Sequence, residues 1–169
     1  DTDVDFAGGE LRKGVDSAAM TARLNLPVIG SAQNNFVDIS VSPDEDSYYY
    51  RIKTTDACQH VVYSNIGRTI LLQVSAEANF ENKITWSEAF IEYGEVQDYW
   101  LYKGGTRIAV LPATKTEYVD PLNVSNEAEF FTCYKVIANL KLTYPNGNFH
   151  YTQSQSNDAC ATQGSDLHV

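Results

Sequence analysis

The 169-residue sequence predicts an all-β fold built as tandem two-sheet sandwiches, the first of them incomplete. Three observations predict it. First, the chain states one pattern twice. Leu11-Arg12-Lys13-Gly14, Leu26-Pro27, Phe36-Val37-Asp38, Tyr50-Arg51-Ile52 and Ser64-Asn65 return in the same order. Their counterparts are Leu101-Tyr102-Lys103-Gly104, Leu111-Pro112, Tyr118-Val119-Asp120, Tyr134-Lys135-Val136 and Ser156-Asn157. Only the gaps differ, as loops between fixed strands do. Second, 11 Tyr against 1 Met, with frequent Val, Ile and Thr, is a strand-forming composition. Third, no segment carries a helical period.

The elements follow in order. Residues 1–10 are acidic and lack a clear period. Leu11 to Lys13 is a short strand, and Thr21 to Val28 is a strand ended by Pro27. Phe36 to Val41 alternates apolar and polar residues. Pro43-Asp44-Glu45-Asp46 is a turn, because Pro presets φ and the acids cap local amides. Tyr48 to Thr54 is the clearest strand of the first half: Tyr48, Tyr50 and Ile52 share one face, and Tyr49, Arg51 and Lys53 the other. Val61 to Ser64 is its hairpin partner. The second unit opens on Thr69 to Ser75, followed by Lys83 to Trp86, Trp100 to Tyr102, Arg107 to Leu111 and Thr116 to Val119. Phe131 to Ala138 corresponds to the Tyr48 strand, with Thr132, Tyr134, Val136 and Ala138 inward. Pro145-Asn146-Gly147-Asn148 is a reverse turn, and His150 to Ser156 returns as the last strand.

Composition narrows the function. Twelve basic and 22 acidic residues give a formal charge of −10, a field that repels nucleic acid. No apolar run approaches the roughly 20 residues of a membrane-spanning helix. The chain reads as a mature product or a piece of one.

The second unit resembles a fibronectin type III module. Trp86 stands where that family places the Trp of its second strand, and Tyr134-x-Val136-x-Ala138 is similar to its sixth strand, near the tyrosine corner. Tyr48-x-Tyr50-x-Ile52-x-Thr54 fits the same pattern. A narrower resemblance lies in Thr54-Thr55-Asp56-Ala57-Cys58, Ser64 to Leu72 and Ile84-Thr85-Trp86. These stretches are similar to tandem modules of secreted proteins from gliding Bacteroidota. Ser156-Asn157-Asp158-Ala159-Cys160-Ala161-Thr162-Gln163 is similar to the stretch before their gliding-motility-associated C-terminal domain, the type B sorting signal of type IX secretion. The resemblance implies a secreted or cell-surface protein, adhesin-like, with non-catalytic modules that space or anchor neighbouring domains. It implies partners among other domains of the same or another secreted chain, surface glycans or secretion components. The modules are expected at residues 1–67 (partial) and 68–161 (complete), with 162–169 a linker toward a C-terminal domain. In the repeat alignment Leu11 falls on a third strand with only ten residues before it. A fragment of a longer chain, or completion by strand addition, is therefore expected.

Cys133 faces outward on the sixth strand and Cys160 follows the last strand. In a two-residue hairpin centred on Asn146 and Gly147 they face each other, so a Cys133–Cys160 disulfide worth ~3 kcal/mol is expected. Cys58 is left as a free thiol or one paired outside this sequence.

No catalytic residues and no cofactor are expected. His60, His150 and His168 lack a nucleophile motif beside them. Asp1, Asp3 and Asp5 miss the Gly and Glu of a helix–loop–helix calcium loop, having Phe6 and Arg12 there instead. A structural calcium at the Asp44-Glu45-Asp46 turn is the weaker reading beside a solvated turn. Tyr93, Tyr99, Trp100 and Tyr102 offer an aromatic platform for sugar; otherwise alternate members fill the core. That platform supports an alternative function, a carbohydrate-binding module of a secreted enzyme; a subunit of a surface filament or secretion complex is the third. Ser17, in Asp16-Ser17-Ala18, is similar to the O-glycosylation sequence of Bacteroidota secreted proteins. Asn123-Val124-Ser125 matches the N-glycosylation acceptor.

Overall fold

The computed structural model describes residues 6–26, 37–123, 125–126 and 130–164. Among them all regular secondary structure is β. The strands are β1 (Phe6–Gly14), β2 (Thr21–Leu26), β3 (Tyr49–Asp56), β4 (Val61–Tyr63), β5 (Gly67–Arg68), β6 (Leu72–Glu77) and β7 (Glu81–Trp86). They continue as β8 (Phe90–Ile91), β9 (Gly94–Lys103), β10 (Thr106–Pro112), β11 (Glu117–Pro121), β12 (Phe131–Thr143), β13 (Phe149–Gln155) and β14 (Ala159–Thr162).

The second unit is a two-sheet sandwich. One sheet runs β11-β7-β6; the other runs β10-β9-β12-β13, with β14 also on β12. Period-two alternation on β12 buries Thr132, Tyr134, Val136, Ala138 and Leu140. Tyr134, Val136, Ala138 and Leu140 meet Leu72, Ile84 and Trp86 from the facing sheet and Tyr99 and Leu101 from β9 in one core. Each large apolar side chain closed off in this way contributes about 1.5–3 kcal/mol. Trp86 and Tyr99 pack edge-to-face at 5.6 Å. Gly104 and Gly105, both at positive φ, close the β9–β10 turn.

The first unit repeats one sheet of the second. Its order is β2-β1-β3, with β4 and β5 end to end along the far edge of β3, as β13 and β14 lie along β12. The registers coincide. Leu11 pairs with Leu24 and Ile52, as Leu101 pairs with Ala109 and Val136. Lys13 pairs with Thr21 and Tyr50, as Lys103 pairs with Thr106 and Tyr134. Among the described residues nothing corresponds to β6 and β7 over this sheet. The consequence is visible in burial: Ile52 is 40% exposed, whereas its counterpart Val136 is fully enclosed.

The two units share a sheet. β5 pairs with β3 on one side and with β8 on the other, so the first sheet runs β3-β5-β8 into the second unit. The Glu92 amide donates to the Ile66 carbonyl at 2.8 Å, and the Thr69 amide to the Tyr48 carbonyl at 2.9 Å. Ile66 itself is buried.

Two expectations change in detail. The described part of Phe36 to Val41 is turn rather than strand, because Asp38 and Ser40 bend inward to Lys13. The disulfide joins Cys133 to Cys160, with Cα atoms 4.0 Å apart, but not through a plain two-residue hairpin. Thr143 faces Phe149 and Ile137 faces Gln155, one residue out of that register. The irregular step at Ser156 to Asp158 restores it and sets Cys133 opposite Cys160.

Candidate functional site

The repeat landmarks converge in space. In the first unit Lys13 Nζ lies 3.1 Å from Asp38 Oδ2, and the Tyr50 hydroxyl donates to the same oxygen at 3.0 Å. In the second, Lys103 Nζ lies 2.9 Å from Asp120 Oδ2, and the Tyr134 hydroxyl donates to it at 2.6 Å. Each trio ties the end of one strand and the paired strand beside it to an acidic residue from a third segment. The charges cancel locally, which is what permits burial of a lysine and a carboxylate. Chemically the trio is a clamp.

The two clamps differ in their surroundings. Around Asp120, Asn82 donates to the Tyr134 hydroxyl at 3.0 Å, and Gln163 donates to Asn82 Oδ1 at 3.0 Å and to the Glu81 carbonyl at 2.7 Å. Asn82, Asp120 and Gln163 are all buried. Around Asp38, the Ser40 amide donates at 2.9 Å and its hydroxyl at 2.5 Å. Burial pushes the Asp38 carboxyl pKa up, yet hydrogen bonds from Ser40, Lys13 and Tyr50 outweigh it and hold the group well below the ordinary carboxylate range. Lys13 also lies 4.9 Å from the centre of the Tyr48 ring.

The Ser-Asn landmarks form a matched pair of bulges. The Ile52 amide donates to Ser64 Oγ at 2.8 Å, and the Val136 amide to Ser156 Oγ at 2.9 Å. Each hydroxyl then donates to the carbonyl of the following Asn. In the second unit Asn157 goes further: its side chain accepts from the Leu72 amide at 2.7 Å and donates to the Leu72 carbonyl at 3.1 Å. It also donates to Asp44 of the first unit at 2.9 Å.

The aromatic platform does not assemble as four residues. Tyr99 points into the core, fully enclosed, with its hydroxyl accepting from the Ala89 amide at 3.0 Å. Burial raises its pKa, the Ala89 bond lowers it, and the Glu88 charge raises it; the net shift is upward. Tyr93 is 75% exposed in the β8–β9 turn at positive φ. Trp100 and Tyr102 stand on the outer face, with Arg107 stacked 4.7 Å from the Trp100 ring. Sequence reasoning missed what lies beside Trp100. A groove of about 590 Å³ joins it to Asp98, Asn139, Tyr151 and Gln153. Asn139 donates to Asp98, and Gln153 donates to Asn139 at 2.7 Å. The signal for it was the outward period of β12 and β13.

The remaining candidates stand apart. Ser17 is exposed in the β1–β2 turn, where the Ala18 amide donates to Asp16 Oδ1 at 2.9 Å. Asp44, Glu45 and Asp46 form an exposed turn, and no group of metal-ligating side chains occurs among the described residues. Asp1, Asp3, Asp5 and His168 lie outside the described residues. His60 bonds Asp56 at 2.9 Å on the surface, far in sequence from the exposed His150. Asn123 accepts from the Ser125 amide at 3.0 Å. Cys58 is an exposed free thiol. Among the described residues no helix is long and apolar enough to cross a membrane. Comparison with protein-family models finds no match, and comparison with curated proteins finds none.

Proposed function

We propose that the chain is a non-catalytic pair of extracellular modules that spaces and anchors neighbouring domains of a cell-surface protein. The observation that carries this reading is the shared sheet: β3-β5-β8 crosses the junction by backbone hydrogen bonds. A hinge of solvated loop transmits position poorly, whereas a hydrogen-bonded ladder fixes the angle between units. Arg68 reinforces it by donating to Ser47 at 2.8 Å, and Tyr49 packs edge-on against Phe90 at 6.0 Å. The Cys133–Cys160 bond is compatible with an oxidising, extracellular compartment. The Bacteroidota surface role, type IX export and glycosylation at Ser17 belong to this proposal through the sequence resemblance alone.

Spin labels on the native Cys58 thiol and on an introduced Thr114→Cys test it. The expected result is one narrow distance distribution between the units. A broad distribution in the unmodified background defeats the spacer reading.

A second reading, binding of carbohydrate, is favoured by the groove at Trp100. An aromatic face beside a carboxylate and two side-chain amides matches the apolar faces and hydroxyls of a sugar ring. Retention on insoluble polysaccharide, lost in Trp100→Ala, decides for it over the spacer.

A further inference from the structure

A cleft of about 460 Å³ lies where the two units meet. Tyr63 lines it from the first unit, and Glu92, Tyr93 and Tyr144 line it from the second. Its volume falls within the range of small-molecule sites. We propose that it binds a small organic cation, a quaternary ammonium of the choline type. The cleft shares no lining residue with the groove at Trp100, and its assignment does not depend on the spacer reading.

Backbone hydrogen bonds fix the walls. The Thr143 amide donates to the Tyr93 carbonyl at 3.0 Å, and the Glu92 amide to the Ile66 carbonyl at 2.8 Å. Gly94 is pressed against β12, where a Cβ would lie 2.9 Å from the Lys141 carbonyl oxygen. The Tyr144 amide donates to the Asn148 carbonyl at 2.8 Å and holds the turn beside its ring. Arg51 stacks 4.5 Å from the centre of the Tyr63 ring and donates to the Ser64 carbonyl at 3.2 Å. A site held in place before binding is filled at lower cost. All three tyrosines are nonetheless exposed. Tyr93 has a φ of 61°, left-handed backbone that suits glycine and is rare for a bulky side chain. The chain therefore holds a ring in the cleft where its backbone favours none.

Charge selects the ligand. Glu92 is the only charged residue lining the cleft among the described residues. Its Oε2 accepts from the Ile66 amide at 3.0 Å and lies 3.9 Å from Arg51. Its other carboxylate oxygen is unbonded among the described residues. Arg51 does not line the cleft, so a ligand meets the carboxylate and not the guanidinium. Tyrosine ring faces are negative, and three of them attract a cation together. The formal charge of −10 draws it from a distance. An anion meets the opposite field.

The kind of cation follows from the walls. Calcium takes about six to eight oxygen ligands, and no group of metal-ligating side chains occurs among the described residues. A primary ammonium brings three N–H donors, each needing an acceptor once it leaves water. A quaternary ammonium carries no N–H, and its methyl groups suit Leu142 and Pro145 beside the rings. Asn65 also lines the cleft, with its side-chain amide unbonded among the described residues. That amide offers a partner to the hydroxyl of a choline-type substituent.

The test titrates the intact 169-residue chain at low ionic strength and reads amide chemical shifts. The probes are choline and its uncharged isostere, with a tert-butyl group in place of the trimethylammonium. The expected result is saturable 1:1 choline binding with a Kd of about 5 mM or below. Shifts should centre on Glu92, Tyr93 and Thr143, and the isostere should bind about tenfold or more weakly. Tyr93→Gly removes a ring where the backbone suits glycine. Glu92→Gln removes the charge and keeps a side-chain oxygen for the Ile66 amide. Each variant should retain the amide spectrum away from the cleft and weaken choline binding about threefold or more. The proposal is overturned by absence of saturation up to about 50 mM choline, or by equal binding of the isostere. Unchanged affinity in either variant, or shifts confined to the groove at Trp100, overturns it equally.

Discussion

Removing one hydroxyl from each clamp should have unequal consequences. Tyr134→Phe takes away the donor to Asp120 Oδ2 and the acceptor of the Asn82 amide. Tyr134 is 1% exposed, so water does not replace it. The lost bond is to a carboxylate, and the stranded Asn82 donor adds a desolvation cost; together they destabilise the second unit by about 2–4 kcal/mol. Lys103 remains on Asp120 and Gln163 remains on Asn82, which limits the loss. Tyr50→Phe removes one bond to Asp38, which keeps both Ser40 bonds and Lys13. The expected cost there is about 0.5–1.5 kcal/mol. The assay is urea unfolding. Both tryptophans, Trp86 and Trp100, lie in the second unit, so tryptophan fluorescence follows that unit, and a fluorophore on Cys58 follows the first. Equal losses in the two variants, or a loss below about 1 kcal/mol for Tyr134→Phe, would mean that the buried, fully paired network does not set the difference.

Other outcomes follow from the same geometry. The Asp38 pKa is depressed in the fold, so its carboxylate stabilises fully above the ordinary unfolded value of about 4 and loses that contribution as pH falls through the folded value. Asp38→Asn should therefore destabilise the first unit at pH 7 by about 1–2 kcal/mol, with allowance for partial solvent screening. The gap to the unmodified chain should narrow progressively once pH drops below about 4, in unfolding curves read from the Cys58 fluorophore. Thiol reagent should modify one cysteine per native chain, Cys58, and three after reduction. Reduction should cost the second unit about 3–4 kcal/mol through the 27-residue separation of Cys133 and Cys160. Glu92→Ala removes the acceptor for the Ile66 amide and the 3.9 Å contact with Arg51. It should broaden the inter-unit distance distribution while leaving the tryptophan-monitored midpoint within about 0.5 kcal/mol.

Much of the sheet arrangement was legible because strands write their faces with period two. Tyr50 and Ile52 fall on the inner side and Arg51 and Lys53 on the outer, as the alternation requires. The same rule places Tyr99 with Leu101 in the core and Trp100 with Tyr102 outside, so a four-residue aromatic platform was never compatible with one strand. β5, β8 and β14 carry too few residues for a pattern, and β5 and β8 make the junction. The clamps were present in the repeat as a Lys, an Asp and a Tyr in each copy. What sequence lacks is their distance: Lys13 and Asp38 are separated by a whole hairpin, and only the fold joins them. The disulfide was expected from hairpin register, yet two offsets of one residue, in the β12–β13 loop and at the Ser156 bulge, cancel to produce it. Loop and bulge lengths are set by local turn chemistry, which periodicity does not report.

The two units form one continuous β structure across Ile66 to Arg68. Residue-resolved hydrogen exchange of the Glu92 and Thr69 amides, bonded to Ile66 and Tyr48 across the junction, reports on that continuity. Protection matching that of β3 amides such as Ile52 is the expected result. Exchange at the rate of the exposed Asp44 to Asp46 turn would contradict it.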